Sequence, residues 1–225
     1  MRKFILFFVV LSLISISVNA QKKSIMDDVT VSGLLQTGSS YLGLVGIHPT
    51  ENMTFYTEFY AFHKTGVGLC YFSLDDFSSE KTGRIRFFDL AYAKKWDNNL
   101  SIFTAVEYYF YDNWKDGKAF KQYTKLAYTK NGWMYEVAPV FRFFPEFNED
   151  KFELTAYLKV KKNLFKDFSI LGQIWYDNVY KDHFYGTVSA QVDLPKNFYL
   201  MGNLLYRDRK VTSLLNLGWR FSTKK

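Results

Sequence analysis

The feature that most constrains this chain is a two-residue alternation that persists for longer than a soluble strand needs. In KFELTAYLKVKK, residues 151–162, Phe152, Leu154, Ala156, Leu158 and Val160 share one parity. Glu153, Thr155, Tyr157, Lys159 and Lys161 share the other. A period of two is a β-strand whose faces meet different surroundings. FYGTVSAQVDL (184–194) repeats the pattern, as does VTSLLNLGWRF (211–221), where Val211, Leu215, Leu217, Trp219 and Phe221 oppose Thr212, Asn216, Gly218 and Arg220.

These segments exceed the roughly 5 to 6 residues usual for soluble strands and match the roughly 9 to 11 residues of a tilted bilayer crossing. A soluble antiparallel sandwich alternates too. Against it stand the strand length, the Lys, Glu and Asp at mid-strand on the polar face, and the rings gathered near strand ends in a chain that is 20% aromatic. An apolar outer band, aromatic girdles and a polar interior belong together in transmembrane β-barrels. Closure then pairs every backbone group that hydrocarbon would leave unsatisfied.

Tight polar turns at His63-Lys64-Thr65-Gly66, Trp96-Asp97-Asn98-Asn99, Lys130-Asn131-Gly132, Lys162-Asn163 and Pro195-Lys196-Asn197 recur about every 33 residues. Longer, more charged breaks fall between them. The result is an all-β, up-and-down antiparallel meander of about twelve strands, within a range of about 10 to 14. The strands are expected near 28–37, 52–63, 66–75, 84–95, 99–112, 119–130, 133–144, 151–162, 168–180, 184–194, 198–207 and 211–221. Short turns face the periplasm in such barrels and longer loops face outside. Residues 38–51 then form the first and longest external connection, which either folds inward or extends the first two strands.

The first twenty residues, MRKFILFFVVLSLISISVNA, have the layout of a secretory signal peptide, with Arg2 and Lys3, an apolar run from Phe4 to Ile16 and a small-residue end at Ala20. The run falls short of the roughly 20 residues of a helical span. Residues 21–225 read as one domain in the outer membrane of a Gram-negative envelope, reached by export and barrel assembly machinery. Its partners there are outer-membrane lipid and small solutes, and it is expected to be monomeric. A single cysteine, Cys70, rules out an intramolecular disulfide. The surplus of 29 Lys and Arg over 22 Asp and Glu is spread out rather than striped, so no nucleic-acid partner is expected.

Nucleophilic catalysis would need a serine with a histidine and an acid or amide nearby. His48, His63 and His183 fall in or beside connections, with no such pairing. They also lack His or Cys partners at ligand spacing, and acidic Asp75-Asp76 suits water as well as it suits a cation. No catalytic residue, metal or cofactor is assigned, and the chain is not expected to be an enzyme.

The polar parity supplies the candidate lumen, with both signs of charge among many rings. Lys159 and Arg220 are two of its cations. One reading is an internal salt-bridge network that seals a small barrel. The other is a hydrated pore whose rings and hydroxyls meet solutes. Twelve strands enclose more than the side chains of an eight-stranded barrel fill, which favours the pore.

The stretches MTFYTEFYAFHKTGVGLCYFSLDDF, RFFDLAYAKKWDNNLSIFTAVEYYFYDN and FSILGQIWYDN resemble, in order and spacing, the Tsx-like nucleoside-specific channel-forming barrels and related small exported barrels. The likeness covers roughly residues 50–180 and rests on aromatic and acidic landmarks. It implies a twelve-stranded monomeric barrel with a narrow passive pore for nucleosides. The positions that would line it are Tyr56, Glu58 and Tyr60, then Glu107, Tyr109 and Tyr111, then Trp175 and Asp177. This chain is shorter than that family, with smaller external loops and no matching aromatic cluster near its amino terminus.

Overall fold

The computed structural model describes residues 28–43, 46–76, 84–96, 99–111, 118–143, 152–178, 184–207 and 209–223. The expected leader and most of the long connections, with His183, lie outside these residues. The side chains of His48, Asp76, Tyr109 and Tyr111 lie outside the description as well.

Twelve strands follow in chain order: β1 (Val29–Gly43), β2 (Gly46–His63), β3 (Val67–Asp76), β4 (Arg84–Lys95), β5 (Leu100–Tyr111), β6 (Lys118–Lys130), β7 (Trp133–Phe143), β8 (Phe152–Phe165), β9 (Phe168–Asp177), β10 (Phe184–Asp193), β11 (Phe198–Arg207) and β12 (Lys210–Ser222). Each pairs antiparallel with its sequence neighbours, and β1 pairs with β12 from Ser32↔Ser222 to Gly38↔Asn216, closing the barrel. Among the described residues no helix is long and apolar enough to cross a membrane.

The parities read from the sequence hold around the wall. Leu69, Leu90, Val106, Val137, Leu158, Ile174, Val188, Leu204 and Leu215 point outward and are exposed, forming an aliphatic band. Rings flank this aliphatic band. At the tight-turn end lie Trp133 with Tyr135, Phe165 with Phe168, and Trp219 between Phe198 and Phe221. At the opposite end lie Tyr71 with Phe88, Tyr108 with Phe120, and Tyr176 with Phe184. Tyr and Trp suit that depth because one part of the ring is apolar and one is polar. Near the long-loop end, the outward Arg86 and Asp75 pair at 3.0 Å, where a headgroup layer rather than hydrocarbon would meet them.

The Asn131-Gly132 turn has positive φ at both residues, 51° and 76°, as a two-residue hairpin turn requires. Two expectations need correction or completion. The turn placed at Lys162-Asn163 is made instead by Lys166 and Asp167, with β8 running on to Phe165. A register shift between Asn163 and Phe165 absorbs the extra residues, and Asn163 remains in a rung opposite Ser169. The connection at 38–51 extends β1 and β2 rather than turning inward. Beyond Gly38 the two strands continue pairing from Ser40↔Pro49 to Gly43↔Gly46, after β12 and β3 have ended their pairing with them.

Candidate functional site

The site is the inner wall, and the strand registers order it into rows. One row runs Tyr60, Cys70, Asp89, Glu107, Lys121, Arg142 and Glu153 across β2 to β8. Another runs Glu136, Lys159, Gln173, Thr187 and Leu205 across β7 to β11. Between them lie Tyr157, Trp175 and Tyr185.

The half of the wall built by β2 and β4–β8 carries buried charge, and its partners are local. Glu58 accepts hydrogen bonds from Tyr56 Oη at 2.6 Å and from Tyr60 Oη, the residues two before and two after it on the same face. Tyr123 donates to Asp89 at 2.5 Å across two strands. Lys121 pairs with Glu107, and Lys159 pairs with Glu136, which also accepts from Tyr157 at 2.6 Å. Lys121 lies over the rings of Phe87 and Tyr123, and Lys125 over Phe103 at 4.8 Å. A cation over a ring face retains attraction where water is excluded. This is how a buried charge is retained: paired, hydrogen-bonded and ring-covered.

The other half, β9–β12 with β1, is mainly neutral and polar. Gln173, Thr187, Ser189, Asn203, Asn216 and Gln36 face inward and are buried. Tyr199 donates to Gln36 at 2.6 Å and packs its ring over Gly218, where a Cβ would lie 2.2 Å from it. Trp175 stacks on Tyr185 at 5.7 Å with planes 7° apart and meets Tyr157 at 4.8 Å.

The residues expected from the sequence are thus all placed on strands, but in separate groups. Tyr56, Glu58 and Tyr60 form one clamp. Glu107 and Lys159 belong to two ion pairs. Trp175 heads the ring stack, and Asp177, toward the long-loop end, accepts from Thr155 at 3.2 Å. Arg220 sits toward the tight-turn end, donating to Asp193 at 3.2 Å and Gln191 at 3.3 Å, with its guanidinium 4.2 Å from the Tyr199 ring centre. Tyr109 and Tyr111 occupy inward register positions opposite Phe87 and Ile85. Sequence reasoning missed Tyr123, Tyr157 and Tyr199 as carboxylate and amide partners, and the whole Gln173–Thr187–Ser189 group. The polar parity contained them all, but it does not say which partners meet across strands distant in sequence.

Inner side chains are packed over much of the lumen's height. Tyr123, Trp175, Tyr199, Val140 and Asn216 are each 0% exposed, and Met201 1%. Large rings from β6, β9 and β11 therefore occupy part of the interior that twelve strands enclose.

No family model matches the chain, and no curated protein matches it in sequence. Solved structures do match in fold. A KdgM porin in complex with disordered oligogalacturonate has a TM-score of 0.62 at 10% identity, covering 85% of this chain and 99% of that one. The NanC porin has a TM-score of 0.55 at 11% identity, covering 83% and 97%. At such identities the likeness is one of fold. The chain is an outer-membrane β-barrel. Its closed twelve-stranded fold matches porin barrels of similar chain length, and nothing in these likenesses singles out nucleoside channels.

Proposed function

We propose that the barrel is a narrow passive channel for small polar solutes, working by diffusion without catalysis, cofactor or energy coupling. The observation that carries this reading is a polar, ionisable inner wall held at mid-membrane depth in a closed barrel as long as small porins. The packing within the lumen makes the conducting state one in which inner side chains part. In this reading residues 1–20 direct export and are removed, and residues 21–225 form one monomeric barrel inserted by the assembly machinery. The tight turns face the periplasm and the extended β1–β2 hairpin projects outside.

The Tsx-like resemblance adds nucleosides as a solute class, with Trp175, Tyr56, Tyr60, Tyr109 and Tyr111 as ring contacts. Glu58, Glu107, Lys159, Asp177 and Arg220 are its polar contacts. Trp175 and Tyr185 support it by setting two parallel ring faces beside hydrogen-bonding groups.

A second reading has its own support: the fully buried rings also suit a non-conducting structural barrel of an envelope assembly. Purified, folded protein in a planar bilayer separates the two. Discrete small conductance steps, reduced by added adenosine, support the nucleoside channel. Steps indifferent to adenosine retain the channel and remove the nucleoside. A correctly folded barrel that passes no current supports the structural reading.

A further inference from the structure

The neutral half of the wall holds a cluster of buried polar atoms. On β9 and β10, both polar side-chain atoms of Gln173, the hydroxyl of Thr187 and the hydroxyl of Ser189 are buried without a hydrogen-bond partner. The three residues are 2%, 3% and 2% exposed. They form one patch: Gln173 is directly opposite Thr187, and Ser189 is the next inward residue along β10. Each such buried polar group is destabilising relative to a satisfied one. A wall needed only as a seal would avoid that cost with apolar side chains, as the inward Leu171, Leu205 and Leu214 do nearby. The patch lies next to the stacked rings of Trp175 and Tyr185, one register row away.

We propose that Gln173, Thr187 and Ser189 are the solute-contacting surface of the lumen, and that their solute is an uncharged, polyhydroxylated ring. Amide and hydroxyl groups offer both donors and acceptors, which matches a sugar hydroxyl and carries no net charge for an ion. Aromatic faces beside them suit the C–H face of the same ring. Lys159, the β8 residue opposite Gln173 in register, is already held by Glu136, and Lys121 farther round the wall by Glu107, which lessens their pull on an anionic solute. Because neighbouring side chains cover the patch, the solute meets it only as the lumen parts, so this inference rests on the channel reading. The shared chemistry is a pentose ring, either free or as the sugar of a nucleoside.

The test is swelling of proteoliposomes in ribose and in adenosine, alongside bilayer conductance in potassium chloride. The wild type is compared with Thr187→Val and with the combined Gln173→Leu, Thr187→Val and Ser189→Ala variant. Each sample is first checked for the folded, heat-modifiable form. Losing the hydrogen bonds of the patch to the solute predicts a ribose flux slower by roughly tenfold or more in the combined variant. Thr187→Val, which keeps the side-chain shape, slows it less, and ionic conductance changes by less than about twofold. Slowing of both ribose and adenosine assigns the patch to free sugars as well as nucleosides. Slowing of adenosine alone assigns it to the nucleoside. Ribose and adenosine fluxes equal to wild type in the combined variant, with conductance intact, overturn the inference and leave the channel standing. Absence of conductance and of all flux in the wild type overturns the channel reading itself.

Discussion

Several buried side chains here are held by specific partners, so the loss of a single atom should be measurable. Tyr123 is fully buried and its hydroxyl donates to Asp89. Tyr123→Phe leaves the ring in place and removes the donor from a buried carboxylate. The expected loss is about 1–3 kcal/mol in urea unfolding of the lipid-inserted barrel. A variant as stable as wild type would mean that the carboxylate finds another donor. Gly218 is a second such point, because the Tyr199 ring lies where a side chain would be. Gly218→Ala should displace that ring from Gln36 and cost about 1–3 kcal/mol. If Gly218→Ala in a Tyr199→Ala background costs as much as it does alone, the ring is not the reason for the glycine.

At the scale of strands, the outward face is set by lipid and the inward face by partners. Leu158→Arg and Val188→Arg place a cation in the aliphatic band, with an expected cost of about 2–4 kcal/mol each in phospholipid vesicles. If Leu158→Arg and Val188→Arg were far less damaging than the inward Leu171→Arg, the assignment of faces would be reversed. The sequence carried this level well. Twelve strands, their parities and most turns follow from a two-residue period interrupted by Asn- and Gly-bearing turns. Alternation alone could not locate the β8–β9 turn, because Asn163 resembles a turn residue while the paired register carries the strand to Phe165. The β1–β2 hairpin stays open between two readings in the sequence for a similar reason: 38–51 contains Gly and Pro in places that read as loop, yet its backbone rungs pair. Partners within the lumen were less legible still. Tyr56, Glu58 and Tyr60 lie two apart and could be grouped from the sequence. Tyr199 and Gln36 are 163 residues apart and meet only because the barrel closes.

Over the whole molecule, the question is what fills a twelve-stranded lumen and whether it yields. Charged groups on β2 and β4–β8 are tied to one another, which fixes that wall. The neutral wall has fewer such ties and carries the large buried side chains Trp175, Tyr199 and Met201. Movement is therefore expected first on the β9–β12 side, where displacing a ring breaks stacking rather than an ion pair. Tyr157 bridges the two halves, bonded to Glu136 on one side and packed on Trp175 on the other. Trp175→Ala removes the ring but leaves the Glu136–Lys159 pair, so it should enlarge the conductance steps of a folded barrel severalfold. Tyr157→Phe, which keeps the ring and removes its hydroxyl, should alter the frequency of opening more than the step size. Equal step sizes in wild type and Trp175→Ala would place the narrowest point elsewhere in the lumen. Steps that appear only in Trp175→Ala, in a barrel silent as wild type, would instead make this ring layer a permanent seal and the protein a structural barrel.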